Sequence, residues 1–272
     1  MTPRPRLVAG LALVALLLAG CSRLSFVKPS MERGKSREVA QKYDIRDDKR
    51  ARERLASRDQ LTLAADSLQS GRLDEAEKRA RQALSLGADP AAANTLLALV
   101  ASRRGDQRKA GDYFERAARQ AGGRGAEANN YGAWLCDNGR EADALAWFDR
   151  AIADADYASP ASAWANAASC AYRIGRYERV DEQARQALAL DPGNAVALET
   201  MAANQYRLGR YFDARAFLER RLAAAPASAS VLQLAVQIEQ RLGDMVAARR
   251  YSQRLQTEFP QAANANPGAG KQ

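Results

Sequence analysis

Gly139-Arg140-Glu141-Ala142-Asp143-Ala144-Leu145-Ala146-Trp147-Phe148-Asp149-Arg150-Ala151 is the stretch that decides the fold. A glycine opens it, alanines follow five and twelve residues later, and an aromatic side chain stands nine residues on. The pattern recurs. Gly71, Gly105, Gly139, Gly175, Gly209 and Gly243 lie 34, 34, 36, 34 and 34 residues apart. Ala76, Ala110, Ala144, Ala214 and Ala248 take the place five residues on, and Val180 stands there in the fourth copy. Ala83, Ala117, Ala151 and Ala187 take the place twelve residues on, which Arg221 and Leu255 occupy in the last two copies. Phe114 and Phe148 fill the bulky slot, and Pro192, Pro226 and Pro260 close the last three copies. A fixed period of this length marks stacked supersecondary units, none of which buries its apolar face alone.

Each residue type has a physical reason for its place. A glycine between two amphipathic stretches suits a tight inter-helix turn, because it has no Cβ to strain there. The alanine five residues on lets the second helix approach the first, and Leu84, Phe148 and Leu188 fill the space beside it. Proline has no N–H and ends the second helix. The period and these positions resemble the tetratricopeptide pattern. The expectation is an all-α, right-handed helical solenoid of about six tetratricopeptide-type repeats over residues 57–260. The 36-residue interval predicts a two-residue insertion around Asp154–Pro160, where Asp, Ser and Pro favour a turn.

Outside the repeats the N-terminus is the most specific region. Arg4 and Arg6 precede the apolar run Leu7–Ala19, too short to span a bilayer and of the length of a signal-peptide core. Leu18-Ala19-Gly20-Cys21 follows and resembles the bacterial lipobox, which makes residues 1–20 a lipoprotein signal peptide and Cys21 the lipidation site. With Ser22 rather than Asp next, the resemblance implies outer-membrane, periplasm-facing anchorage through several acyl chains, since one chain holds only marginally. Residues 21–56 hold the lipidated cysteine and a charged tether or loose helix, and residues 261–272 a disordered tail.

Loss of Arg4 and Arg6 lowers the formal charge from +9 to +7. That balance suits acidic segments and lipid headgroups, and an envelope location argues against nucleic acid. A histidine count of zero excludes imidazole ligands and His-based triads, and three cysteines without a CxxC pair give no zinc pattern. No cofactor or metal is expected, and the chain reads as a protein-binding scaffold, monomeric on its own, rather than an enzyme.

Candidate binding residues follow from the register, since the first helix of each such repeat lines the inner surface. Asn130 and Asn166 occupy one inner place in repeats three and four, where stacked amides can grip a peptide backbone. Local capping or core hydrogen bonds are the alternative for them. Arg173 and Arg207, with Arg103 and Arg241, form a stripe two residues before the glycines, able to pair with carboxylates, or merely a solvated face. Tyr172 and Tyr206 stand one residue earlier. None of these side chains is needed to pack the repeats. An alternative surface is an apolar patch on repeat one, Leu61 and Leu68. Cys136 and Cys170 fall in neighbouring first helices, three and five residues before their glycines; they can bridge or remain two buried thiols.

The run Asn129-Asn130-Tyr131-Gly132-Ala133-Trp134-Leu135-Cys136-Asp137-Asn138-Gly139-Arg140 is the sharpest local signature. With Asp156-Tyr157, Pro160 and the Asn-containing helix that carries Cys170, it resembles the type IV pilus biogenesis lipoproteins of the PilF/PilW pilotin family. The resemblance implies a role in carrying the pilus secretin to the outer membrane or helping it multimerise there, with the secretin as partner. It also implies a Cys136–Cys170 disulfide, a pair found in part of that family. Another outer-membrane lipoprotein scaffold, serving cell-wall synthesis or outer-membrane protein assembly, is the competing expectation.

Overall fold

The computed structural model describes residues 48–264; the expected signal peptide, Cys21, most of the expected tether and the end of the expected tail lie outside the described residues. Among the described residues there are only helices, thirteen of them. They are α1 (Lys49–Gln69), α2 (Leu73–Ser85), α3 (Pro90–Arg103), α4 (Gln107–Gln120), α5 (Gly125–Asp137), α6 (Glu141–Ala153), α7 (Pro160–Arg173), α8 (Tyr177–Leu190), α9 (Ala195–Arg207), α10 (Tyr211–Ala224), α11 (Ala229–Leu242), α12 (Met245–Glu258) and α13 (Pro260–Asn264). The first twelve pair into six repeats, the odd-numbered helix being helix A and the even-numbered one helix B. The expected all-α repeat solenoid is what the chain forms.

Six near-identical turns join A to B. The glycines take φ between +74° and +80°, a region that side-chain-bearing residues rarely adopt. In every repeat the N–H after the glycine donates to the carbonyl five residues back, as from Arg140 to Leu135 at 2.9 Å and from Arg176 to Ala171 at 2.8 Å. That bond satisfies a carbonyl at the end of helix A and sets the reversal. Side-chain caps start many helices: Asp89 on α3, Asp106 on α4, Asn194 on α9, Ser228 on α11 and Asp244 on α12. Each such cap is worth about 1 kcal/mol.

Packing follows the small-residue positions. Ala76, Ala110, Ala144, Val180, Ala214 and Ala248 are all buried at the A–B contact. Phe148 fills the centre of repeat three without exposure, and a Cβ on Gly132 of α5 would meet its Cε1 at 2.9 Å. Gly132 is therefore small because Phe148 is large. Arg221, in a slot that alanine fills in earlier repeats, is buried too. Its guanidinium donates to the carbonyls of Ala225 and Pro226, both at 3.1 Å, and reaches Glu199 at 3.4 Å. The long stem covers apolar surface while the charged head caps the end of α10.

Successive A helices touch directly: α1 with α3, α3 with α5, α5 with α7, α7 with α9 and α9 with α11. Successive B helices show no comparable contact, so the A helices form the tighter, inner curve. The longer connection between repeats three and four also has a structural task. The Asp154 carboxylate accepts from the N–H of Gly125 at the start of α5 at 2.6 Å and from that of Asp156 at 3.1 Å. Tyr157 packs against Gly125, where a Cβ would come within 2.8 Å of the ring. Two boundaries differ from expectation. α1 begins at Lys49, inside the stretch read as tether or loose helix, and α13 runs to Asn264, into the stretch read as tail.

Candidate interaction surfaces of the solenoid

The inner face of repeats two and three carries a recess of about 500 Å³ between α3, α4 and α5. Leu99, Ser102, Asn130, Ala133, Trp134 and Asp137 are among its lining. It is built by a size exchange between repeats. Gly111 of α4 has no side chain where the Trp134 indole lies, and any Cβ there would clash with the ring. Trp134 stacks near Tyr131 at 6.2 Å, and Tyr131 takes Trp147 edge-on at 5.0 Å. An aromatic wall thus backs the recess, with amide, hydroxyl and carboxylate groups at its mouth. Burial raises the Tyr131 phenol, which stays protonated.

The sequence candidates fall into distinct places. Asn130 is half-buried on the recess wall. Asn166, expected to stack with it, instead donates through Nδ2 to the Asn129 Oδ1 at 3.0 Å. Asn129 is buried. Crossing of the neighbouring A helices brings together residues one position out of register, so Asn166 ties repeat four to repeat three. A smaller recess of about 80 Å³, which shares Ala133 and Asp137 with the first, includes Asn166, Ser169 and Arg173.

The arginine stripe is also a set of inter-repeat contacts. Arg173 binds Asp137 at 3.2 Å and Glu141 at 3.1 Å, both in repeat three. Arg207 lies 3.8 Å over the ring of Tyr177 in repeat four and donates to Asn204 at 3.1 Å. Arg241 lies 5.9 Å over Tyr211 in repeat five. Tyr172 donates to the Ala203 carbonyl at 3.4 Å and meets Tyr177 at 5.5 Å; Tyr206 meets Tyr211 at 5.5 Å. Desolvation raises the Tyr172 phenol, which keeps its proton as a donor. The expectation that these residues are idle in packing is therefore corrected. Each repeat sets a cation or an amide against the one before it.

Leu68 is likewise not a surface residue. It is buried with Ala76 and Val100, because its side chain points at the A–B contact of repeat one, while Leu61 is half-buried. The two do not form an exposed patch. Cys136 and Cys170 are joined as a disulfide with Cα atoms 6.0 Å apart, and both are buried. The crossing of α5 and α7 absorbs the two-position slip between them. Among the described residues no group of His, Cys, Asp and Glu side chains has the arrangement of a metal site. Also among them, no helix is long and apolar enough to cross a membrane.

Sequence reasoning missed Trp134 and Gly111. The signal was present as a glycine inside an amphipathic B helix, 23 residues before a tryptophan in the next A helix, yet only geometry links the two.

No protein-family model matches the sequence, and no curated protein matches it. Solved structures do. PilW, described as a widely conserved type IV pilus biogenesis factor, is 26% identical, with a TM-score of 0.67 over 75% of this chain and 94% of PilW. PilF of Pseudomonas aeruginosa is 21% identical, with a TM-score of 0.68 over 76% of this chain and 93% of PilF. The Cut9 assembly with Hcn1 shares the fold at 15% identity and a TM-score of 0.66, over 78% of this chain and 44% of that one. Uninterrupted six-fold repetition, an A-helix inner face and this alignment along almost all of PilW together make the chain a tetratricopeptide-type solenoid similar to the type IV pilus biogenesis factors PilW and PilF.

Proposed function

We propose that this protein is a type IV pilus biogenesis scaffold that works by binding another protein, and that it does so as an outer-membrane lipoprotein anchored through Cys21. The observation that carries the reading is the 26% identity to PilW across 94% of that protein's length. The partner we assign is the pilus secretin, whose localisation or multimerisation the solenoid supports as a pilotin. Chemistry at a catalytic centre is not part of this reading: the inner face offers amides, tyrosines and paired arginines, and the chain has no histidine.

Within the solenoid, the recess of repeats two and three is the surface that fits an inserted segment. Arg173 is already neutralised by Asp137 and Glu141, so acidic recognition by that arginine is replaced by a polar mouth over an aromatic wall. An extended or short helical segment would place an apolar side chain against Leu99 and Trp134 and its backbone amides against Asn130 and Asp137. Affinity capture of the acylated protein from detergent-solubilised envelope tests the partner. Recovery of the secretin, and about tenfold weaker recovery with Asn130→Ala and Leu99→Ser, is expected if a buried amide and an apolar contact are lost. Recovery of cell-wall or porin-assembly components in place of the secretin would overturn the pilotin reading.

A further inference from the structure

Four of the exposed large apolar side chains share one edge, while others, such as Leu55 and Leu190, lie elsewhere on the chain. Phe212 and Val246 leave 75% and 72% of their surface to solvent, and Met245 and Leu208 leave 51% and 45%. All four sit at the A–B turns of repeats five and six, either just before the glycine or two to three residues after it. The place three residues after the glycine is Asp74, Arg108 and Glu178 in repeats one, two and four. The two turns are neighbours, since Arg241 lies over Tyr211 and Arg215 reaches Asp244 at 3.7 Å. Phe212 is next to Tyr211 and one helical turn from Arg215, the two residues that reach the turn of repeat six. Phe212 and Val246 give little of their surface to repeat packing, and exposed apolar surface gathered on a folded chain marks a contact face.

The rim says what kind of contact. Residues 207–213 and 241–250 carry Arg207, Arg210, Arg241, Arg249 and Arg250 against Asp213 and Asp244, and Asp244 is held by Arg215. A second copy meeting this patch two-fold would set these guanidiniums against their own kind. An anionic surface is complementary instead. The patch also protrudes: a phenylalanine three-quarters exposed stands out from its turn rather than lining a groove. Protruding apolar tips with arginines around them suit a laterally extended boundary, where rings enter the headgroup region and guanidiniums reach phosphates.

We propose that the A–B turn edge of repeats five and six rests on an anionic phospholipid surface, with Phe212, Met245 and Val246 entering the headgroup–acyl boundary and the exposed Arg210 and Arg249 facing its phosphates. This contact is independent of acylation at Cys21. The test is flotation of the full chain carrying Cys21→Ser, purified without an acyl group. The vesicles are equal parts phosphatidylethanolamine and phosphatidylglycerol, or phosphatidylcholine alone. The chain should float with the anionic vesicles and not the neutral ones. Phe212→Ser with Val246→Ser should weaken that binding by about tenfold or more. The two positions are exposed, so circular dichroism should be unchanged. A Phe212→Trp variant should show blue-shifted emission on the anionic vesicles. Absence of flotation, flotation indifferent to the serine pair, or an unshifted emission overturns the proposal. So does a serine pair that spares flotation but abolishes capture of a protein partner, which would make the edge a protein-docking face. A chain that proves never to be acylated would refute the anchor reading while leaving this assay intact.

Discussion

Replacing both Cys136 and Cys170 with alanine removes the covalent tie between repeats three and four while leaving α5 and α7 otherwise as they are. The bridge spans a sequence separation of 34 residues, for which the chain-entropy relation gives about 3.8 kcal/mol at room temperature. Alanine is preferred to serine because Cys170 is fully buried and a hydroxyl there would add a polar group to the core, free to bond the Glu141 carbonyl that the sulfur now approaches at 3.7 Å. Were the array to melt as one unit, the loss would lower its midpoint by roughly 8–15 °C. A solenoid is held by nearest-neighbour interfaces, so the effect should be local first. Hydrogen exchange read by mass spectrometry should show lost protection in α5 to α8, with α1, α2 and α12 little changed. Denaturant unfolding should broaden, because the two halves of the stack become less strongly coupled. Adding reductant to the parent should reproduce the alanine variant, and adding it to the variant should do nothing. A variant melting within about 2 °C of the parent would refute the reasoning, since that corresponds to less than about 1 kcal/mol. Free alkylation of both thiols in unreduced native protein would refute it as well.

Other outcomes follow from contacts described above. Gly132→Ala gains about 1 kcal/mol of helix propensity but sets a Cβ 2.9 Å from Phe148, and overpacking of about 1–3 kcal/mol should leave a net loss in urea melts that Phe148→Leu partly restores. Arg215→Ala leaves Glu239, 4% exposed, without its cation, and should cost about 3–5 kcal/mol, while Arg215→Met with Glu239→Leu should cost much less. Hydrogen bonds from Arg104 and then Arg81 hold the Glu77 carboxyl below its usual range, and Arg124 does the same for Asp89. Their contribution is complete above the ordinary carboxylate range and is lost as pH falls through the lowered values, so acid melts should soften repeats one to three below about pH 4; Glu77→Gln with Asp89→Asn should flatten that dependence. Cys21→Ser should release the chain from outer-membrane fractions washed at high salt, which screens the arginine contact of the turn edge, and retention through that wash equal to the parent's would remove the lipid anchor from the proposed function.

The period was legible because the same physical event, a helix reversal at positive φ, recurs six times and only glycine suits it. The inner face was far less legible. Counting back from each glycine assumes that equivalent residues meet across the stack, yet the A helices cross. Asn166 therefore finds Asn129 rather than Asn130, and Cys136 finds a cysteine two positions out of step. Leu68 misled for a related reason: the residue three before the glycine points at the A–B contact in repeat one, whereas Tyr172 at that place in repeat four reaches the next A helix. Charge at the start of α1 left both a tether and a loose helix open, and the structure shows the helix. Lys49, Arg50, Arg52, Glu53 and Arg54 look like a solvated tether, but they are good helix formers on an exposed first turn, with Lys49 and Glu53 paired at 3.9 Å.

The arginine contacts between repeats are not of one kind, and the difference has a mechanical consequence. Arg173 joins repeats three and four through carboxylates, whereas Arg207 and Arg241 join the later repeats over tyrosine rings. Dissolved ions screen an exposed ionic joint and hardly touch a ring stacked under a guanidinium. Ionic joints also link repeats one and two (Arg104–Asp74), two and three (Arg124–Asp89) and five and six (Arg215–Asp244), and changing salt would loosen these and the Arg173 hinge alike if charge alone held them. The Cys136–Cys170 bond crosses that same hinge. Stiffness at that hinge therefore depends less on the composition of the surrounding fluid than it does at the ionic joints no covalent bond crosses.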